Sequence, residues 1–105
     1  MSKFTINAEY HFPTNSMKGK GIHIQFENGV VASIQIGSGN YCTQIEDEMN
    51  GLYHSVSEDC EIACWNSSGK WITSEYDSSL RDDVKGRVNS EEIPAFLEWC
   101  KNYKF

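Results

Sequence analysis

The fold is decided by the stretch Gly21-Ile22-His23-Ile24-Gln25-Phe26, then Glu27-Asn28-Gly29, then Val30-Val31-Ala32-Ser33-Ile34-Gln35-Ile36. Apolar and polar residues alternate on both flanks, which is the two-residue period of a β-strand whose faces meet different surroundings. The glycine between the flanks is typical of a tight connection. The sequence therefore predicts a β-hairpin here.

Two turn geometries fit this hairpin. A two-residue turn at Asn28-Gly29 would place Ile24 opposite Ser33 and mix apolar with polar residues on one face. A three-residue loop, with Gly29 in the left-handed conformation, pairs only apolar residues with each other. We therefore predict the three-residue loop, with the pairs Phe26 and Val30, Ile24 and Ala32, and Ile22 and Ile34. The opposite, wetter face then holds His23, Gln25, Val31, Ser33 and Gln35.

A second hairpin and a short strand follow. Residues 58–65 alternate again, residues 66–69 form a turn rich in Asn, Ser and Gly, and residues 70–73 are predicted to return as the partner strand. Residues 77–83 read as a polar connection, and residues 84–88 as a short strand that Gly86 weakens or bulges.

The C-terminus changes to a helical period. Ile93, Phe96, Leu97 and Cys100 recur at the spacing of one helix face. Asn89 is the predicted N-cap, with Glu92 completing a capping box. Because proline is tolerated only in the first turn, the helix either begins near Ile93 or bends at Pro94.

These elements predict an α+β fold: an antiparallel β-sheet of about four to six strands, built from two hairpins, with one C-terminal helix packed on one face. Residues 1–105 form a single domain, in which residues 18–105 are the core and residues 1–17 an N-terminal extension or edge strand. The other sheet face is left without a cover, so we expect a homo-oligomer. Residues predicted on that face include Val31, Tyr41, Ala63 and Trp65.

The net charge of −6 is concentrated in one segment. Between Lys20 and Lys70 there is no lysine or arginine, and every charged side chain is acidic. Such a balance argues against direct binding of nucleic acid through its phosphates. Some acidic residues of this segment could contact a basic partner, or they could be solvated loop charges. They are Glu46, Asp47, Glu48, Glu58 and Asp59.

A second candidate surface would bind an anion or a nucleotide. The glycine-rich loop Gly37-Ser38-Gly39-Asn40-Tyr41 could offer backbone N–H groups and an aromatic ring, although it is also typical of a simple strand exit. Basic or polar side chains that could join it are His23, Lys85 and Arg87.

No spacing in the sequence links a nucleophile to a histidine and an acid, so no catalytic residue is assigned and enzymatic activity is the less favoured reading. Cys60 and Cys64 cannot share a metal ion if they lie on a strand, because four residues span about 13 Å there. We predict buried, reduced thiols, no metal and no cofactor. No apolar run reaches the roughly 18 residues that cross a bilayer, and no signal peptide is evident, so a cytoplasmic protein without membrane contact is expected.

Several of these motifs resemble a group of short, uncharacterised bacteriophage proteins. The likeness lies in the Phe26-Glu27-Asn28-Gly29 turn, the strand at residues 33–36 and the Gly37–Tyr41 loop, and it continues through Ala63-Cys64-Trp65, Gly69-Lys70-Trp71, residues 84–88 and Ser90-Glu91-Glu92. It covers residues 18–102, and the chain departs from the pattern at Val30, Ser38 and Pro94. The resemblance implies phage origin and a small β-rich domain, and it implies no activity.

Together these observations predict a non-enzymatic phage accessory protein in the host cytoplasm. It would bind and inhibit or sequester a host factor, either a protein or a small nucleotide signal, and counter-defence is one setting for this role. The alternatives are a small enzyme acting on a nucleotide or phosphoester, centred on Asn40 and Tyr41, and an acidic protein-interaction module.

Overall fold

The computed structural model describes residues 3–6, 10–11, 18–36, 44–46 and 56–104. The helices are α1 (Thr73–Tyr76) and α2 (Ile93–Asn102), the latter preceded by a 3-10 turn at Ser90–Glu92. The strands in chain order are β1 (Lys3–Ile6), β2 (Tyr10–His11), β3 (Lys18–Gln25), β4 (Val31–Ile36), β5 (Gln44–Glu46), β6 (Val56–Ser57), β7 (Asp59–Trp65) and β8 (Lys85–Asn89).

The strands confirm the predicted α+β class. An antiparallel sheet runs in the order β1-β3-β4-β7-β8, with β2 also pairing with β3, and β5 pairs with β6 in a separate two-stranded sheet. β1 lies at the edge of the larger sheet, so residues 3–6 follow the edge-strand alternative. β3 begins at Lys18, three residues earlier than the alternation indicated, because its first residues pair with β2 and with the end of β4.

The first hairpin has the predicted register. Ile24 pairs with Ala32 and Ile22 with Ile34. Phe26 N–H donates to the carbonyl of Val30, and Gly29 N–H donates to the carbonyl of Phe26, both at 2.9 Å. Gly29 has φ +86°, the left-handed conformation that glycine adopts without steric cost. The three-residue loop is therefore confirmed.

The second hairpin is shorter than predicted. After the turn, the partner strand is reduced to an isolated bridge between Trp65 and Trp71, and α1 begins at Thr73. The Thr73 side chain supplies the reason, because its Oγ1 accepts from Cys64 N–H at 3.0 Å where a partner backbone would otherwise bond. A hydroxyl thus ends the ladder and lets the chain turn into α1.

β8 carries the irregularity that Gly86 indicated. Cys60 and Ile62 of β7 are two residues apart, whereas their partners on β8, Val88 and Lys85, are three residues apart. β8 therefore contains one extra residue. Arg87 has φ +56° within this bulge, an uncommon conformation for a residue with a side chain.

Helix α2 begins where the capping signals indicate. The Asn89 side chain accepts from the N–H groups of Glu91 and Glu92, which caps the 3-10 turn. α2 then begins at Ile93, so Pro94 stands in its first turn, where a missing N–H removes no helical hydrogen bond. Of the two alternatives for Pro94, a helix that begins at Ile93 is the one observed.

The core lies between α2 and one face of the sheet. Phe96 and Cys100 are fully buried there, and half-buried Ile93 and Leu97 complete the predicted stripe. The strand residues in this cluster are Ala32, Cys60, Ile62, Cys64 and Val88, and Val30 joins them from the end of the first hairpin turn. Burying these side chains supplies the main stabilisation that joins helix to sheet.

Candidate functional site

Helix α2 presents a second face, beside its core stripe, that forms a shallow groove. The groove has a volume of about 540 Å³. That size falls within the range of small binding sites. We call it the α2 groove; the residues lining it are Ala95, Glu98, Trp99, Asn102, Tyr103 and Lys104.

Helical spacing brings these residues together. Positions 98, 99 and 102 lie three, four and seven residues after position 95, so all four positions share one side of the helix. Trp99 and Tyr103 are half-buried, while the other lining side chains are exposed. An aromatic floor with a polar rim results, which is the composition found at the centre of binding surfaces.

The two aromatic rings of the α2 groove are fixed from below. Trp99 lies 5.3 Å from Tyr103 and 5.5 Å from Tyr76, measured between ring centroids, and Tyr76 in turn meets core residue Phe96 edge-to-face at 5.2 Å. The Tyr103 hydroxyl is 3.1 Å from Glu75 Oε1 and donates to it. Because these contacts hold the rings, little side-chain entropy is lost when a partner binds them.

An ionic cluster made of Tyr76, Asp77, Lys85 and Glu92 lies beside this aromatic group. Lys85 Nζ is 2.9 Å from Glu92 Oε2 and 3.1 Å from Asp77 Oδ2. The Tyr76 hydroxyl donates to the same Glu92 oxygen at 2.7 Å. Together these contacts join α1 and β8 to the turn that precedes α2.

The pKa values in the ionic cluster follow from its contacts. Burial and the hydrogen bond to Glu92 raise the pKa of Tyr76 to about 12. Hydrogen bonds from Ser79 and then from Lys85 lower the pKa of Asp77 to about 2. Hydrogen bonds from Tyr76 and Lys85 lower the pKa of Glu92, and the bond to Glu92 raises the pKa of Lys85. Both carboxylates and the ammonium are therefore charged at neutral pH, and the cluster carries a net negative charge.

The C-terminal end of α2 is capped by the first hairpin turn. Asn28 Nδ2 lies 2.9 Å from the carbonyl oxygen of Cys100, 3.1 Å from that of Lys101 and 3.0 Å from that of Tyr103. Its Oδ1 accepts from Val30 N–H at 3.0 Å. Tyr103 N–H donates to the Cys100 carbonyl at 3.3 Å, and carbonyls at a helix end otherwise lack partners within the helix, so Asn28 supplies donors that the helix itself does not. Asn28 of the first hairpin turn thus stabilises the end of α2.

The sheet face opposite α2 holds another aromatic group. His23 meets Trp65 edge-to-face at 5.1 Å, and Trp65 lies 5.0 Å from Trp71, whose side chain is 43% exposed. β3 and β7 are separated by β4, so the rings of His23 and Trp65 lean over β4 to meet. Burial lowers the pKa of His23, which favours its neutral form.

The centre of that opposite face is less open than the sequence suggested. Ala63 is 5% exposed, and the neighbouring polar residues Ser33 and Gln35 are also buried within this chain. Gln35 Nε2 bonds to Ser33 Oγ at 3.1 Å, and among the described residues Gln35 Oε1 has no hydrogen-bond partner although it is buried. Ser33 and Gln35, which were predicted on the wetter face, are therefore buried, and the self-association expected for the sheet face opposite α2 stays a prediction.

The predicted ligand residues are not brought together. His23 lies on the face away from α2, whereas Lys85 pairs with core residue Ile62 and bonds to Asp77 and Glu92 on the α2 side. Arg87 is exposed in the β8 bulge. The loop residues Gly37, Ser38, Gly39, Asn40 and Tyr41 lie outside the described residues.

The predicted acidic partner surface is partly described. β5 pairs with β6, with Glu46 opposite Val56, so Glu46 lies beside the segment that leads into Glu58 and Asp59. Glu58 is exposed and Asp59 half-buried. Asp47 and Glu48 lie outside the described residues.

Cys60, Cys64 and Cys100 are buried, as predicted, and Cys42 lies outside the described residues. The Cys64 and Cys100 thiols lie together in the core, and their interaction lowers the pKa of Cys64 and, with burial, raises the pKa of Cys100. In the part of the chain that the structure describes, no three His, Cys, Asp or Glu side chains are grouped to hold a metal ion. None of the helices in the described ranges is long and apolar enough to cross a membrane.

Sequence reasoning missed the α2 groove because it assigned α2 only its core stripe. The signal that could have found it is Trp99, a large aromatic residue that falls outside the stripe formed by Ile93, Phe96, Leu97 and Cys100. A large aromatic residue that lies beside the core stripe and keeps part of its ring exposed can contribute to a binding surface.

Comparison of the chain with models of known families, with curated proteins and with solved structures finds no match. The assignment of function therefore rests on the geometry of the surfaces described above.

Proposed function

We propose that this protein is a non-enzymatic binding protein that engages a partner protein through the α2 groove. The observation that carries the proposal is the pair of half-buried rings, Trp99 and Tyr103, held at 5.3 Å in a groove of about 540 Å³. Tryptophan and tyrosine are enriched among the residues that dominate binding energy at protein interfaces.

The resemblance to bacteriophage proteins supports the setting of this function. The partner would be a host protein in the host cytoplasm, and the small protein would inhibit or sequester it, as a counter-defence protein does. The net charge of −6 supports a basic partner surface, because opposite charge speeds encounter and disfavours acidic competitors.

The test compares three proteins in a selection against peptides and domains displayed from host sequences. The wild type is run beside Trp99→Leu and beside the matched control Trp71→Leu, which replaces an exposed tryptophan on the opposite sheet face. We expect ligands enriched by the wild type to be retained by Trp71→Leu and to lose at least about tenfold in affinity with Trp99→Leu. Retention by Trp99→Leu and loss with Trp71→Leu would overturn the assignment to the α2 groove.

A second candidate function is the binding of a nucleotide, and its support is the exposed Trp71 ring beside Trp65 and neutral His23. Such rings can stack on a planar base. Protein-detected NMR against a nucleotide panel would show shifts at Trp71 that Trp71→Leu removes, and unchanged spectra would exclude this candidate. Turnover in the same samples, lost with Tyr41→Ala, would instead favour the enzyme alternative.

A further inference from the structure

We propose that Asn28 is a modification site that the end of α2 controls. Its side-chain amide is kept while it caps the helix, and it is lost by spontaneous deamidation when that end opens. The dipeptide Asn28-Gly29 carries the chemistry for this reaction. Because glycine has no Cβ, its backbone nitrogen can approach the preceding side chain without steric hindrance.

The reaction needs only water and a base. The backbone nitrogen of Gly29 gives its proton to the base and forms a bond to Cγ of Asn28. The bond from Cγ to Nδ2 then breaks, and this nitrogen takes a proton from water and leaves as ammonia. Water opens the resulting cyclic succinimide at either of its carbonyls, which gives aspartate or isoaspartate. The net change consumes water and releases ammonia, so no electrons are transferred.

The folded turn holds the attacking nitrogen away from this reaction. Gly29 N–H donates to the carbonyl of Phe26 at 2.9 Å, and the nitrogen must lose that proton before it can attack. The Asn28 amide is fixed as well, since its Oδ1 accepts from Val30 N–H at 3.0 Å. The turn must therefore give up both hydrogen bonds before the new bond can form.

The end of α2 blocks the leaving group. Asn28 Nδ2 lies 2.9, 3.1 and 3.0 Å from the carbonyl oxygens of Cys100, Lys101 and Tyr103. A carbonyl oxygen accepts hydrogen bonds and donates none, so it cannot supply the proton with which ammonia leaves. The cap must therefore separate from the helix before the amide can be lost, and a helix end opens more readily than the core does.

The modified residue can no longer cap α2. A carboxylate at position 28 has no N–H to donate, and it would face carbonyl oxygens at the negative end of the helix dipole. Isoaspartate also lengthens the backbone of the turn beside Gly29, where a Cβ would already stand 2.6 Å from Ser67 Cβ. Deamidation is thus a one-way change that leaves the last turn of α2 open, and with it the Tyr103 side of the α2 groove.

The experiment follows deamidation of the full chain by peptide mapping and mass spectrometry. Samples are held at one mildly alkaline pH and temperature, either folded in buffer or unfolded in urea. Cleavage after glutamate places Asn28 and the second Asn-Gly pair, Asn50-Gly51, on separate peptides, because Glu46 and Glu48 lie between them. In urea both asparagines should react at comparable rates. Asn28 should react at least about tenfold more slowly in the folded chain than in urea, since the opening that exposes it is rare.

A variant at the helix end tests the control by α2. Tyr103→Ala keeps the carbonyl that Asn28 bonds to and removes the ring that packs on Trp99 at 5.3 Å. It should speed deamidation of Asn28 in the folded chain about threefold or more, the size of a lost aromatic pair. Lys104→Ala, at the next and exposed position, is the matched control and should leave the rate unchanged. Circular dichroism confirms that each variant is folded.

The outcomes separate the steps of the proposal. Equal rates for Asn28 in buffer and in urea would overturn the protection by the cap. A rate in folded Tyr103→Ala no higher than in Lys104→Ala would overturn the control by the end of α2. The deamidated chain, separated by ion exchange, should unfold at lower urea than the unmodified chain, as Asn28→Asp should. Unchanged stability after deamidation would overturn the one-way loss of the cap.

Discussion

The two hairpin turns have the same backbone geometry and different roles. In the first, Gly29 N–H bonds to Phe26 and Phe26 N–H bonds to Val30; in the second, Gly69 N–H bonds to Asn66 and Asn66 N–H bonds to Lys70. Both glycines have positive φ, +86° and +82°.

The surroundings of the two turns differ. A Cβ built on Gly29 would stand 2.6 Å from Ser67 Cβ, whereas a Cβ on Gly69 would meet nothing within 4 Å. Asn28 of the first turn bonds to three carbonyls at the end of α2. The Asn66 side chain of the second turn accepts from Ser68 N–H and Lys70 N–H, and beyond its own turn it lies close enough to Tyr103 to lower the pKa of that hydroxyl. Local sequence therefore fixes the shape of a turn, and tertiary contacts decide what it contributes.

The largest difference between the turns is expected from Asn28→Ala. It removes the donors to three carbonyls, so it should lower the free energy of unfolding by about 2 to 4 kcal/mol. Urea denaturation measures the change. Asn28→Asp keeps the acceptor for Val30 and loses the donors, and it should not restore stability. A loss under about 1 kcal/mol would show that water caps α2 equally well.

The glycines give the next effect. Gly69→Ala should cost about 1 kcal/mol, the steric cost of positive φ, and Gly29→Ala about 2 to 3 kcal/mol because the new methyl also meets Ser67. The double variant Gly29→Ala with Ser67→Gly removes that neighbour and should recover the excess, as read from thermal midpoints and urea curves. Equal costs at Gly29 and Gly69 would contradict the close approach of the two turns.

The neutral Asn28 cap at the C-terminal end of α2 differs from the ionic cluster near the N-terminal end of the helix. Glu92→Gln should cost roughly 1 kcal/mol at neutral pH, because Glu92 receives bonds from Lys85 and Tyr76 at a half-buried position.

The pH dependence separates these two ends of the helix. The pKa values of Asp77 and Glu92 are lower in the folded chain than their ordinary values, and that of Asp77 falls from 3.8 to about 2. The stability that each contributes is present above the ordinary carboxyl pKa and is lost as pH falls through its lowered pKa, which is about 2 for Asp77. Unfolding measured along this range should therefore show the Glu92→Gln effect disappearing in acid, while the Asn28→Ala effect persists. A constant Glu92→Gln effect would contradict the ionic origin.

The smallest effect belongs to the exposed side of the second turn. Lys70 Nζ lies 3.8 Å from Glu75 Oε2, with side chains 71% and 43% exposed. Lys70→Gln should change stability by less than about 0.5 kcal/mol, since water and salt screen such a pair. A thermal midpoint measured at low and high salt checks this, and a larger loss would mean that the second turn is held more firmly than its contacts indicate.

Much of the fold could be predicted because the period of the apolar residues and the positions of the turn and cap residues indicate the same elements. The alternation on both sides of Gly29 admits only one register with an apolar face, and the stripe of α2 has a clear cap in Asn89. The end of the second hairpin could not be read in this way. Residues 70–73 look like a strand, and only the placement of Thr73 against Cys64 shows that a hydroxyl replaces the partner backbone.

The candidate site was harder to predict than the fold. Lys85 was a reasonable anion ligand from its charge, but only the folded chain places Asp77 and Glu92 on its ammonium. Trp99 and Tyr103 are four residues apart, a helical spacing that the sequence shows, but only the folded chain places Tyr76 against Trp99. The loop at residues 37–41 lies outside the described residues, so its ligand role stays a prediction.

The bond from Asn28 to Cys100 joins residues 72 positions apart. The first hairpin precedes α2 in the chain, so its turn can cap the helix only after α2 has also been synthesised and folded. Contacts of such long sequence separation slow folding, because most of the chain must be ordered before they form. The last turn of α2, which also forms one wall of the groove, is therefore expected to be among the later parts of this chain to become ordered.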